Sequence, residues 1–179
     1  MLPRVSNLLS SGNQKAVNKL HEMSFLVYNL VIFPMIAGIL IVNKDFVNFF
    51  LGQDFQDARY AIAIMVFRMF FIGWTNIMGI QILIPHNKNR EFMLSTTIPA
   101  VFSVGLNLLL IPPLGYIGAS IVSVATEGLV WLIQLYFTRS YLKEVKILPS
   151  MLKILLAALL MYGACLLYTS DAADDSLRV

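Results

Sequence analysis

Long uninterrupted runs of apolar residues constrain this chain more than any other feature of its sequence. A bilayer core about 30 Å thick is crossed by roughly 20 helical residues at about 1.5 Å each. Runs of that order occupy 25–42, 60–84, 92–111 and 117–137, and a shorter one occupies 151–164. The expected fold is therefore all-α, a polytopic membrane helix bundle of about five transmembrane helices joined by tight connections. Hydrophobic residues make up 58% of the 179 and charged residues only 13%, against about 45 to 50% and about 25% for soluble domains, so a water-soluble fold is excluded. The run at 25–42 is not a secretory signal, because some two dozen mostly polar residues precede it.

The polar segments between the runs carry the organisation. Residues 1–22 place Leu2, Val5, Leu8 and Leu9 on one helical stripe beside the turn formers Ser10-Ser11-Gly12-Asn13, which predicts an amphipathic segment at the membrane surface. Residues 43–59 interleave Asp45, Asp54 and Asp57 with Phe46, Val47, Phe49, Phe50 and Leu51, suiting a half-buried loop or surface helix. Pro85 to Arg90 form a polar turn, Pro112 to Tyr116 an uncharged one, and 138–149 a basic one. Lys and Arg concentrate in cytoplasmic loops. Arg4, Lys15, Lys19, Lys88, Arg90, Arg139, Lys143 and Lys146 fall on one side of the expected bundle, and only Lys44 and Arg59 on the other. That asymmetry predicts a cytoplasmic amino-terminal segment and a multi-pass protein of a cytoplasmic (inner or plasma) membrane.

The net charge of +3 is small and scattered, so no nucleic-acid partner is expected; membrane lipids are. One cysteine, Cys165, cannot close an internal disulfide, and His21 and His86 are too far apart in sequence for a local metal motif. Neither a metal nor another cofactor is implied. From Cys165 the apolar run passes abruptly into Thr169-Ser170-Asp171-Ala172-Ala173-Asp174, a string resembling the translation of a transposon-end adapter used in library preparation. Residues 165–179 are accordingly expected to be non-native, and without them the net charge rises to +5.

An ionised side chain at mid-bilayer costs at least about 2.5 to 3.5 kcal/mol and normally faces protein or water. Arg68 and Glu127 are in that position, roughly 12 and 15 Å below the outer ends of their runs. They are expected to approach one another inside the bundle, directly or through one neighbour. Thr75 and Gly79 share a helical face with Arg68; Ser120, Ser123, Trp131 and Gln134 share one with Glu127; and Thr96, Ala100, Ser103 and Asn107 line up on the third run. Such stripes can line a hydrated cavity and follow a sugar chain, or simply let helices pack closely. Arg68, Glu127, Thr75, Ser123, Gln134 and Asn107 are the candidate substrate-binding residues. No catalytic residue is expected. Pro34 and Pro99 sit inside runs, where each removes a backbone donor. The two histidines are expected to be solvated in loops, and the outer aspartates to form a solvated face.

Several strings together resemble the polysaccharide transporter branch of the multidrug/oligosaccharidyl-lipid/polysaccharide flippase superfamily. Leu2-Pro3-Arg4-Val5-Ser6-Asn7-Leu8 with the polar turn and Lys-rich helix after it resembles the cytoplasmic segment that follows the family's eighth helix. Gly79 to Pro85 with Asn87-Lys88-Asn89 resembles the end of the tenth helix, and Leu114 to Ser120 through Thr126-Glu127 the start of the twelfth. The resemblance implies an internal fragment holding about five helices of the carboxyl-terminal lobe, to be completed by the remaining helices of a full-length transporter. It implies transport without covalent chemistry: flipping of undecaprenyl-diphosphate-linked oligosaccharide repeat units across the bacterial cytoplasmic membrane for O-antigen or capsule biosynthesis. Exporters of lipid II or drugs share that fold and remain an alternative. A multispan glycosyltransferase or polymerase would need a large outer loop, and the longest outer connection here is 43–59.

Overall fold

The computed structural model describes residues 2–145 and 147–176, with side chains described for 3–52, 54–145, 147 and 149–165. Five helices follow one another: α1 (Leu2–Ser10), α2 (Gln14–Phe50), α3 (Ala58–Asn76), α4 (Asn89–Leu142) and α5 (Leu148–Ser176). A 3-10 turn (Gln53–Phe55) links α2 to α3, and α3 continues into a π-helical segment, Ile77–Leu83. Among the described residues there is no strand, and the fold is a helical membrane bundle. Gln14–Phe50, Ala58–Leu83 and Asn89–Leu142 are long and apolar enough to cross a membrane, while the apolar part of α5, Pro149–Cys165, is shorter. Lys146, counted above among the basic loop residues, lies outside the described residues. So do the last three positions of the tail expected to be foreign, together with its side chains from 166 onward.

Helix α4 has 54 residues and would be about 80 Å long as a straight rod. It is a hairpin instead. At Gly115 the backbone leaves helical space (φ 54°, ψ −132°), a conformation natural to glycine. Beyond it Gly118 lies against the Leu110 carbonyl, too close for any side chain. Further down, Gln134 Nε2 donates to Ser95 Oγ at 3.2 Å. Residues equidistant from Gly115 are thus neighbours, and the runs expected at 92–111 and 117–137 are the two antiparallel legs. Helical backbone continues through Pro112 and Pro113, so the reversal falls on the glycine rather than on the prolines. Pro34 and Pro99 likewise lie within continuous helix.

The amino-terminal helices pack on one another. Val5 is fully buried, and with Leu8 and Leu9 it packs on Val17 and Leu20 of α2, so α1 covers its apolar stripe with its own neighbour. Gly12 at φ 71° makes the turn, and Asn13 caps α2 by accepting from the Ala16 N–H. At its other end α2 stays helical to Phe50, eight residues past the expected run, and Asn43 Nδ2 ties it to the Arg59 carbonyl at 2.8 Å.

Lipid is as apolar as leucine, so membrane helices associate through close packing and interior polar contacts rather than hydrophobic burial. The distribution of residues follows. Phe49, Leu108, Val101 and Leu160 are exposed, while Asn29, Ser95, Gln134 and Thr138 are buried. Tyr28 lies across Gly73 with its hydroxyl donating to the Met69 carbonyl, a contact no larger residue at 73 would permit. Trp74 and Trp131 are packing residues. Their rings, 6.1 Å apart, join Phe25, Phe70 and Phe71 where α2, α3 and the second leg of α4 meet.

The histidines correct the expectation of solvated loops. His21 is 1% exposed, and its Nε2 lies 3.2 Å from the Gln81 carbonyl. The reason is local: Pro85, four beyond Gln81, has no N–H, and His86, five beyond as a π-helix would require, donates its backbone N–H to the Ile82 carbonyl instead. A buried carbonyl without a donor is costly, and the imidazole supplies the proton. His86, half-buried, places Nδ1 2.7 Å from the neighbouring Ile82 carbonyl and its ring against Tyr141.

Candidate functional site

Arg68 stands midway along α3 and Glu127 midway along the second leg of α4, and the two helices bring them together. Arg68 Nη2 and Nε both donate to Glu127 Oε1, at 2.9 and 3.3 Å. The side chains are 38% and 20% exposed. The pair is therefore tilted onto one carboxylate oxygen rather than engaged as a full two-by-two fork. Among the described residues neither Nη1 of Arg68 nor Oε2 of Glu127 has a hydrogen-bond partner. A guanidinium stays charged under all ordinary conditions and presents five N–H donors, so donor capacity remains after the carboxylate is bound. A second anion with several oxygens can be met here without dismantling the helix packing.

The other expected site residues are distributed along the bundle. Thr75 shares the Arg68 face but is buried, its hydroxyl donating to the Ile72 carbonyl at 2.9 Å within its own helix. Gln134, 1% exposed, ties the two legs through Ser95, and its Oε1 has no partner; neither has the buried Nε1 of Trp131 one turn away. Asn107 donates to Ser103 Oγ at 3.2 Å along the first leg. Ser123 is half-buried one turn above Glu127. The structure brings Arg68 and Glu127 into contact; no hydrogen bond joins Thr75, Ser123, Gln134 or Asn107 to them.

Two residues escaped the sequence reading. Asn76, exposed, follows Arg68 at a spacing of eight, two helical turns along the same face through Ile72, whereas the reading followed the spacings of seven and eleven to Thr75 and Gly79. Gln81 could not be placed by a 3.6-residue period because it lies in the π-helical segment, which shifts every later side chain. Separately, an apolar groove of about 640 Å³ runs between α2, α3 and α5, lined by Phe33, Phe67, Phe71, Leu155, Tyr162 and other largely apolar groups. Its walls suit hydrocarbon or another helix. Among the described residues no group of three His, Cys, Asp or Glu is arranged to hold a metal.

Comparison with known proteins places these features in context. The profile of the family "Lipid II flippase MurJ" matches residues 1–175. An uncharacterized membrane protein of Methanocaldococcus jannaschii is 27% identical over 144 residues, covering 80% of this chain and 28% of that protein. A protein of Escherichia coli K12 provisionally named an O-antigen transporter is 29% identical over 148 residues, 77% of this chain and 33% of its own length. The chain thus spans about a third of the length of the curated relatives it matches. No solved structure matches.

Proposed function

Because the chain belongs to the lipid II flippase MurJ family, within the multidrug/oligosaccharidyl-lipid/polysaccharide flippase superfamily, whose members are flippases and not enzymes, we propose that the transporter containing it flips polyprenyl-diphosphate-linked saccharides. The substrate is an undecaprenyl-diphosphate-linked oligosaccharide repeat unit, carried across the bacterial cytoplasmic membrane for O-antigen or capsule assembly. The observation that carries this reading is the Arg68–Glu127 pair. A permanent cation inside a membrane bundle needs a counter-charge at every stage. In the empty state Glu127 supplies it; when substrate enters, a diphosphate oxygen takes donors the carboxylate leaves open. Planar, charge-assisted contacts of this kind are what guanidinium offers phosphate. The remaining helices of the transporter complete the cavity, and alternating access exposes it to each leaflet in turn.

In this reading the amino-terminal segment and the His86 loop are cytoplasmic, the Gly115 hairpin tip faces outward, and residues 165–179 are foreign to the transporter. The loop charges support the first two, and the sequence of the flanking genomic DNA tests the third.

Lipid II is the second reading, favoured by the family matched, and it shares the diphosphate and sugar chemistry. The full-length transporter is tested by expression in two strains, one lacking its O-antigen flippase and one depleted of its lipid II flippase. Restored O-antigen supports the repeat unit as substrate. Growth rescued only in the depleted strain reassigns the substrate to lipid II, and rescue of neither strain overturns the flippase reading.

A further inference from the structure

Two groove segments open on the same side of the α2–α3 pair and share Ile72. The one holding Arg68 has a volume of about 300 Å³; the other, toward His86, has about 630 Å³ and holds Ser24, Tyr28, Asn76 and Gln81. Ligand sites of that size typically have apolar walls with a few placed polar groups. The polar groups here are oriented by their own bonds. Asn76 Nδ2 donates to the Ile72 carbonyl at 2.8 Å, which leaves Oδ1 as the outward acceptor. Gln81 Oε1 accepts from Ser24 Oγ at 3.0 Å, which leaves Nε2 with its two N–H donors. Among the described residues neither Asn76 Oδ1 nor Gln81 Nε2 has a protein partner. Asn76 stands about 12 Å along the helix from Arg68, on the same face.

We propose that Asn76 and Gln81 extend the Arg68 site toward the cytoplasmic end of the bundle and bind the sugar part of the substrate, whose hydroxyl and acetamido groups both donate and accept hydrogen bonds. The inference rests on the reading of Arg68 as the diphosphate contact. One acceptor and one donor held apart on a groove wall match hydroxyls better than they match an anion, which would be repelled by Asn76 Oδ1. They match hydrocarbon not at all. The sugar therefore lies along α3 while the diphosphate reaches the guanidinium, and the groove between them sets which headgroups pass.

The experiment uses a cysteine-free background of the full-length transporter, reconstituted in vesicles, carrying Asn76→Cys or Thr75→Cys. A charged, membrane-impermeant thiol reagent is added from the side of the amino-terminal segment, with or without an undecaprenyl-diphosphate-linked trisaccharide and with undecaprenyl diphosphate alone. Asn76→Cys should label, Thr75→Cys should resist, and the sugar-bearing lipid should slow labelling at 76 at least fivefold while the sugar-free diphosphate does not. Labelling of Asn76→Cys only by an apolar reagent would show that the groove faces lipid and would overturn the proposal. So would equal protection by both lipids. Transport by Asn76→Ala and Gln81→Ala separates this proposal from its premise. A higher apparent KM for the trisaccharide lipid with little change in transport of undecaprenyl diphosphate supports it. Unchanged transport of both, alongside loss of transport in Arg68→Ala, defeats the sugar site and leaves the diphosphate reading standing. Normal transport by Arg68→Ala defeats both.

Discussion

At the scale of single residues, the Arg68–Glu127 contact separates structural from transport roles because the two respond differently to paired substitution. Glu127→Gln leaves a charged guanidinium without its counter-ion, and insertion scales put such a charge at about 2.5 to 3.5 kcal/mol. That variant should unfold earlier in a detergent denaturation series. The double variant Arg68→Met, Glu127→Met removes both charges, so stability should return to near the starting value, as it does when buried ion pairs are replaced by well-packed apolar groups. Transport should not return. Recovery of both would make the pair purely structural. The pairing itself was legible from sequence because ionised residues in spans are rare and these two stand at matching depths. What could not be read was that Gln134 turns inward to Ser95 and that Thr75 bonds back to its own helix, since a helical face does not say what lies across from it.

At the scale of elements, close approach at glycines and one imidazole help fix helix positions, beside the polar ties between helices. A methyl group at Gly79 would overlap Phe92 Cε2, at 2.5 Å, and press on Gln134 Nε2, at 3.1 Å. Gly79→Ala should therefore push the π-helical segment off the first leg of α4, at a cost of about 1 to 3 kcal/mol for overpacking, measurable as a loss of unfolding free energy. His21→Ala removes the donor to the Gln81 carbonyl, which Pro85 cannot replace. Hydrogen exchange at the amides of 77–84 should rise in His21→Ala, and His21→Gln, which keeps an N–H donor, should restore part of the protection. Equal exchange in all three would mean the contact carries no local stability. Pro85 was visible in the sequence, but its orphaned carbonyl depends on a helix 60 residues earlier in the chain passing alongside, and periodicity carries no such information.

At the scale of the molecule, span number follows from run length, and the runs at 92–111 and 117–137 were readable for that reason, with Gly115 available between them to reverse the chain. The extension of α2 to Phe50 was only half readable: a loop and a surface helix both suited 43–59, and Asp45 interrupts the apolar pattern while the backbone remains helical. Spin labels at Met93 and Tyr136 test the hairpin: the two legs place them within about 25 Å, whereas a straight helix would separate them by roughly 65 Å. The function asked of this architecture is leaflet exchange, and the flipping of an undecaprenyl-diphosphate-linked oligosaccharide by the full-length transporter in sealed vesicles addresses it most directly. The account predicts that Arg68→Ala inserts and folds like the unaltered protein yet loses translocation by at least tenfold. Translocation at the unaltered rate would contradict it.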